Sequence, residues 1–155
     1  MRHASAVFER SLQTMRLLLK QVGDELSVDS PDQAYVALRA SLHAFRTYLP
    51  PVNVLQLANQ MSMLLRGLFL EGWRLGDTPE GRSLAAFYDQ VGKELPPNFP
   101  YTTETAVRAA FKALRTIMDL GELAQAISCL PWTIRALLSS ELNPETPPQT
   151  SDLSG

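Results

Sequence analysis

The chain has 155 residues, of which 45% are hydrophobic, and its 14 basic and 16 acidic residues give a formal net charge of −2. Because the charges almost balance, no bulk electrostatic attraction favours nucleic acid or an anionic membrane, and the sequence predicts neither as a partner. A chain of this length buries roughly 70% of its unfolded surface, which favours one compact domain, predicted here over residues 1–142.

Cysteine usage and the N-terminal composition indicate the cellular compartment. The chain has a single cysteine, Cys129, and so forms no intrachain disulfide. Its N-terminal segment lacks a secretory pattern, because the longest apolar run there, residues 17–19, is ended by Lys20. No apolar stretch approaches the ~20 residues that a transmembrane helix needs, since Arg66 interrupts the longest candidate. The sequence therefore predicts a cytoplasmic protein.

Apolar residues at helical spacing predict the first two helices. Residues 30–33 supply a capping serine, a first-turn proline and a capping-box glutamine, which predict a second helix over residues 31–49. The proline pair 50–51 ends that helix. The first helix, over residues 4–26, is predicted from one apolar stripe, formed by Phe8, Leu12, Met15, Leu19, Val22 and Leu26.

The middle of the chain predicts two shorter helices and a linker. A third helix starts at Pro51, and a fourth follows along the mostly apolar run 61–73, which ends in the pair Gly72-Trp73. The string Thr78-Pro79-Glu80 then predicts the start of a fifth helix, because a capping hydroxyl, a first-turn proline and a first-turn acid follow one another.

The later part of the chain repeats the earlier part at an offset of about 69 residues. The string Gln21-Val-Gly-Asp-Glu-Leu26 matches Gln90-Val-Gly-Lys-Glu-Leu95, and the match defines two units of about four helices, approximately 4–74 and 79–140. The predicted fold is therefore an all-α helical bundle of about eight helices built from two tandem repeats. A Pro-, Thr- and Ser-rich tail over 143–155 is predicted to be disordered.

The second helix of each unit carries small residues along one shoulder of its apolar face. Small side chains let two helix backbones approach closely, so we expect these two helices to pack against each other near the centre. The small residues are Ala37, Ser41 and Ala44 in the first unit, and Ala106, Ala110 and Ala113 in the second.

Four short strings in the first unit follow one another in a recognisable order: Leu38-Arg39-Ala40, Leu57-Ala58-Asn59-Gln60-Met61-Ser62, Leu65-Arg66-Gly67-Leu68-Phe69 and Glu71-Gly72-Trp73. This pattern resembles the bacterial family called domain of unknown function 2267. Met61-Ser62 stands where the family usually has Leu-Pro, whereas Leu130-Pro131 keeps that pair in the second unit. The resemblance implies a helical, bacterial protein whose biochemical role is not established.

Basic residues form a stripe on the second helix of each unit, at positions i, i+4 and i+7: Arg39-His43-Arg46 and Arg108-Lys112-Arg115. Two related stripes could clamp an anion between the units. Structural ion pairs are the favoured interpretation, because acidic residues repeat together with the basic ones. The candidates for an anion site or for ion pairs are Arg39, Arg46, Arg66, Arg108, Arg115 and Arg135, with Glu25 and Glu94 as partners.

Four large apolar residues are candidates for an interface. Met63, Leu70 and Trp73 fall away from the main apolar face of the predicted fourth helix, and Trp132 occupies the position equivalent to Met63. Such a helix is either wrapped by the rest of the fold or presents a patch to a partner or a second copy. Burial between the two units is favoured, since two repeated cores must be covered.

The sequence predicts no catalytic site, no metal site and no cofactor. His43 has no cysteine or second histidine within helical reach, and Cys129 lies in an apolar context without a nearby cation. The favoured function is therefore a non-enzymatic protein-interaction or scaffold module, which binds a protein partner or associates with itself. The alternative is a small-molecule or anion-binding domain that uses the repeated arginines.

Overall fold

The computed structural model describes residues 2–142, and within them it contains eight α-helices and no strand. The predicted all-α fold is confirmed, and α2 ends at Thr47, two residues before its predicted end. The predicted tail, 143–155, lies outside the described residues. The helices are α1 (Arg2–Leu26), α2 (Pro31–Thr47), α3 (Pro51–Asn59), α4 (Met63–Leu70), α5 (Leu84–Glu94), α6 (Thr103–Leu114), α7 (Leu120–Ile127) and α8 (Trp132–Leu142).

Helix α2 is the central helix, with α1, α4, α5 and α6 packed around it. Every residue from Ala40 to Arg46 is buried, so the helix is covered on all sides over two turns. Buried polar groups in such a helix must be hydrogen-bonded to avoid a large desolvation cost. Ser41 meets this requirement by donating its hydroxyl to the carbonyl oxygen of Ala37 at 2.7 Å.

Helices α2 and α6 pack against each other, as their small residues predict. The rings of Phe45 and Phe111 meet edge to face between them, with centroids 5.0 Å apart, an arrangement that aromatic pairs prefer. All six small shoulder residues are buried: Ala37, Ser41, Ala44, Ala106, Ala110 and Ala113. The two halves of the chain, α1–α4 and α5–α8, therefore share one core.

Local capping fixes the starts of three helices in the second half. The side chains of Ser83, Thr102 and Asp119 each accept a hydrogen bond from the backbone N–H three residues later, at 3.0, 3.1 and 2.9 Å. Such caps satisfy a backbone donor that has no partner inside its helix. The capping box predicted at Ser30 does not form; Pro31 at the first helical position fixes the start of α2 instead.

Helix α4 is capped by a residue of another helix. Ser62 stands at its N-cap position but makes no capping bond with its side chain. The hydroxyl oxygen of Ser11, on α1, instead accepts from the backbone N–H of Leu64 at 2.9 Å, and Ser11 is itself buried. A contact between residues 53 positions apart thus replaces the local cap and ties α1 to α4.

Helix α5 begins at Leu84, after the capping residue Ser83, so the start predicted at residues 78–80 is wrong. Tyr48 gives the physical reason, because its hydroxyl donates to the carbonyl oxygen of Gly81 at 2.6 Å. A helix running through this position would use that carbonyl for its own backbone ladder. The segment between α4 and α5 is therefore an irregular linker.

Helix starts recur at the offset seen in the sequence. Helices α3 and α7 begin 69 residues apart, as do α4 and α8. Leu84, the start of α5, lies 69 residues after Met15, so residues 2–14 of α1 have no helical counterpart in the second half. Descent of the two halves from one duplicated unit stays a prediction.

Candidate functional sites

His43 lies at the centre of a buried polar network. Its Nε2 atom is 2.7 Å from the carbonyl oxygen of Leu68, and its Nδ1 atom is 3.0 and 2.8 Å from the two carboxylate oxygens of Glu94. The ring therefore lies between a backbone carbonyl oxygen and a carboxylate, and both of its nitrogens are within hydrogen-bond distance of an oxygen.

The surroundings of Glu94 change the pKa of its carboxyl in opposing ways. Burial by itself raises that pKa, but the hydrogen bond from His43 and the positive charges of His43, Arg39 and Arg46 outweigh burial. The net effect is a pKa below the ordinary value of a glutamic acid, which favours the ionised form.

Arg46 and Arg39 extend this network to the end of α4. Arg46 donates from Nη1 to the carbonyl oxygens of Phe69 and Glu71, at 2.6 Å in each case. Arg39 donates from Nε to the Glu71 carboxylate at 3.3 Å, and its Nη1 lies 3.7 Å from Glu94. The basic stripe of α2 thus binds the last carbonyl groups of α4, which have no partner inside their own helix.

Burial and pairing act in opposite directions on the two arginines. Burial lowers the pKa of the Arg46 guanidinium, and the negative charge of Glu94 only partly offsets this. The hydrogen bond to Glu71 raises the pKa of Arg39. Arg39 is therefore paired with carboxylates at the edge of the network, whereas Arg46 is a buried, desolvated charge within it.

The second basic stripe, on α6, lies closer to the surface. Arg108 pairs with Glu104 at 3.0 Å and with Glu141 at 2.6 Å, and Lys112 pairs with Glu25 at 3.2 Å. Burial lowers the pKa of Arg108, but its hydrogen bonds to Glu141 and Glu104 raise it more. About two fifths of the Arg108 and Lys112 side chains stay exposed, so this stripe is a set of surface ion pairs.

The two stripes are paired crosswise between the halves. Glu94 ends α5 in the second half and binds the stripe of α2 in the first. Glu25 lies near the end of α1 in the first half and binds Lys112 in the second. Both acids that the sequence singled out are therefore bonded to basic groups in the half opposite their own.

The remaining repeated arginines differ in their roles. Arg66 donates from Nε to the carbonyl oxygen of Ala58 and from Nη2 to that of Met61, at 3.0 Å in both cases. It therefore closes the C-terminal end of α3. Within residues 2–142, Arg115 and Arg135 make no side-chain hydrogen bond that the structure records, and Arg135 is exposed.

The burial favoured for the four apolar candidates is wrong for two of them. Met63 and Trp132 are 49% and 70% exposed, because each is the first residue of its short helix and lies at the surface. Leu70 and Trp73 are half-buried and pack against the core. Trp73 follows Gly72, whose φ of +71° suits glycine, and the Trp73 N–H donates to Leu70 at 3.0 Å.

Several large apolar residues near the contact between α1 and α4 are exposed. Phe8 and Leu12 belong to the apolar stripe that predicted the first helix, and they are 57% and 39% exposed. The bond between Ser11 and Leu64 brings α1 against the start of α4. We name this surface the α1–α4 apolar face, formed by Val7, Phe8, Leu12, Met63 and Leu64.

Within the part of the chain that the structure describes, no group of three or more His, Cys, Asp or Glu side chains could hold a metal ion. Within the same residues, no helix combines the length and the apolar character needed to cross a membrane.

These observations define an all-α protein whose basic stripes bind helix ends and acids across one shared core. The chain matches the model of a family described as "Uncharacterized conserved protein (DUF2267)" over residues 15–137, and it belongs to that family. The resemblance inferred from the four strings of the first unit is thereby confirmed. No curated protein matches the chain.

Proposed function

We propose that this protein is a non-enzymatic interaction module that associates with a second copy of itself through the α1–α4 apolar face. The observation that carries the proposal is the exposed end of α1. Every residue from His3 to Arg10 is exposed, and Ser11 is the first buried residue of the helix. We further propose that the protein acts in the cytoplasm, which fits its single cysteine, Cys129.

The apolar stripe of α1 continues past the part of the helix that the core covers. Val7 and Phe8 lie one turn before Ser11, on the side of the helix that faces α4, and both are about half exposed. A large apolar side chain that moves from water into an interface contributes roughly 1.5–3 kcal/mol. Burial of this stripe by a partner therefore contributes favourable binding free energy without any rearrangement of the fold.

A second copy of the chain is the simplest partner for the α1–α4 apolar face, because no further binding surface is required. In a twofold dimer each copy presents the same patch to the other, so one self-complementary face is sufficient. The five side chains of the α1–α4 apolar face can form the core of such an interface. Five side chains are few beside the roughly 20–30 residues per partner of a standard interface, so we expect a weak, concentration-dependent dimer.

The test is the molar mass across a concentration series, by light scattering coupled to size exclusion and by sedimentation velocity. The native chain is expected to shift from monomer towards dimer as concentration rises, and Phe8→Glu is expected to stay monomeric. Leu17→Glu is the matched control, because Leu17 is 51% exposed on the same helix but lies well away from the Ser11 side. A strict monomer at every concentration, or equal loss in both variants, overturns the proposal.

A further inference from the structure

A cleft of about 380 Å³ lies between the end of α2, the α4–α5 linker and the end of α7. It is separate from the α1–α4 apolar face, and none of its lining residues belongs to that face. Its volume lies at the small end of the range for ligand pockets, roughly 300–1,000 Å³. The groups that matter for recognition are Arg46, Tyr48, Trp73, Arg74, Arg82 and Cys129.

The cleft carries a surplus of positive charge. Arg46 lines it from α2, Arg74 and Arg82 line it from the α4–α5 linker, and Asp77 is the one carboxylate among its lining residues. Asp77 accepts from the backbone N–H of Arg74 at 3.2 Å, which folds the linker back on itself. Within residues 2–142 the structure records no ion pair for Arg74 or Arg82. Three guanidinium groups against one carboxylate leave a surplus of two charges.

Arg46 is the fixed element of this site. It is 8% exposed, and both of its 2.6 Å bonds to backbone carbonyls start from Nη1. Within the described residues, Nε and Nη2 have no recorded partner. Nη2 lies beside Gly72, since a Cβ built at that position would be 3.9 Å from it, an ordinary van der Waals contact. An anion in the cleft would compensate a buried charge that its own network only partly satisfies.

The other walls are flat and rigid. Trp73 is half-buried in the cleft, and the Tyr48 hydroxyl is held by its bond to Gly81 at 2.6 Å. Pro50, Pro51 and Pro79 complete the apolar part of the lining, and proline has a fixed backbone φ. An indole face beside such walls suits a planar apolar group.

We propose that this cleft binds a small phosphate monoester that carries one planar apolar group. A phosphate monoester has a charge of about −1.5 to −2 at pH 7, which matches the surplus of two, whereas a carboxylate supplies only one charge. Guanidinium groups bind phosphate oxygens through paired N–H donors. The planar group lies against Trp73, and the volume of about 380 Å³ accommodates a ring together with the phosphate.

Two tryptophans and one cysteine make the test direct. In a Trp132→Phe background, Trp73 is the single fluorescent tryptophan, and its emission is titrated with phenyl phosphate, inorganic phosphate and benzoate at constant ionic strength. Phenyl phosphate is expected to bind more tightly than either fragment. Because Cys129 lines the cleft and is the single thiol, phenyl phosphate should also slow its alkylation, measured by mass spectrometry of the intact chain.

The variants separate a site from a general charge effect. Arg74→Gln with Arg82→Gln is expected to weaken phenyl phosphate binding at least about tenfold, the loss of one charged hydrogen bond or more. Arg16→Gln with Arg135→Gln removes the same charge at exposed positions outside the cleft and should leave binding unchanged. Saturation by no probe, equal binding of all three, or equal loss in both double variants overturns the proposal.

Discussion

The pairing of His43 with Glu94 predicts a specific loss of stability when the carboxylate charge is removed. Glu94→Gln keeps the size of the side chain and an acceptor oxygen but removes the carboxylate charge that lies against the His43 ring and Arg39. His43 is 4% exposed and Glu94 32% exposed, so the pair is shielded from water on one side. A hydrogen bond to a charged group contributes about 1.5–3 kcal/mol against about 1 kcal/mol for a neutral one, and we expect a loss of about 2 kcal/mol.

The matched control is Glu25→Gln, at the equivalent position of the first half. Glu25 pairs with Lys112, and both side chains are about two fifths exposed, so its removal should cost about 0–1 kcal/mol. Urea unfolding followed by circular dichroism gives both values from the midpoints, provided that the m-value is unchanged. Equal losses in the two variants, or a loss below about 0.5 kcal/mol for Glu94→Gln, would refute the assignment of a buried charged pair.

The same pair predicts a pH dependence with a definite sign. The pKa of Glu94 is lowered in the folded protein, so its contribution is complete above the unfolded value of about 4.3 and disappears as pH falls through the folded value. The stability difference between the native chain and Glu94→Gln should therefore be present at about pH 5 and shrink in more acidic buffer. A difference that persists undiminished in acid would contradict this origin.

Two further predictions concern bonds that close the ends of short helices. Arg66→Gln should lower the unfolding free energy by about 1–2 kcal/mol, because it removes the side-chain bonds to the carbonyl oxygens at the end of α3. Arg135→Gln, at the corresponding exposed position, should change the unfolding free energy by less than about 0.5 kcal/mol. Ser11→Ala should cost about 1 kcal/mol, as other lost caps do. It should also speed hydrogen exchange at the Leu64 amide, and an unchanged exchange rate there would show that the Ser11 bond does not protect it.

Local chemistry explains which parts of the fold were predictable from the sequence. Apolar periodicity gave the helical class, and Pro51 marked the start of α3 correctly. The same local signals failed at residues 78–80, because Tyr48 binds the linker from a distant part of the chain. A cap motif is a short-range signal, and a long-range bond can override it.

The candidate sites show the same division. The pairing of basic stripes with acids could be anticipated because both repeat at one offset, but the burial of His43 against the Leu68 carbonyl could not, since backbone acceptors leave no trace in the sequence. The apolar stripe of the first helix continues through Phe8, which the structure shows to be exposed. Periodicity shows which side of a helix is apolar and does not show how far along it the neighbouring helices reach.

The pairing of Glu25 and Glu94 with basic residues of the opposite half affects how the protein unfolds. Helix α1 packs against α6, and α2 packs against α5, so each half supplies charge partners and apolar cover to the other. A separated first half would keep the His43 ring after losing the carboxylate that binds its Nδ1 atom. The halves therefore cannot melt independently, and the linker acts as a tether between two pieces that would hold each other even if it were cut.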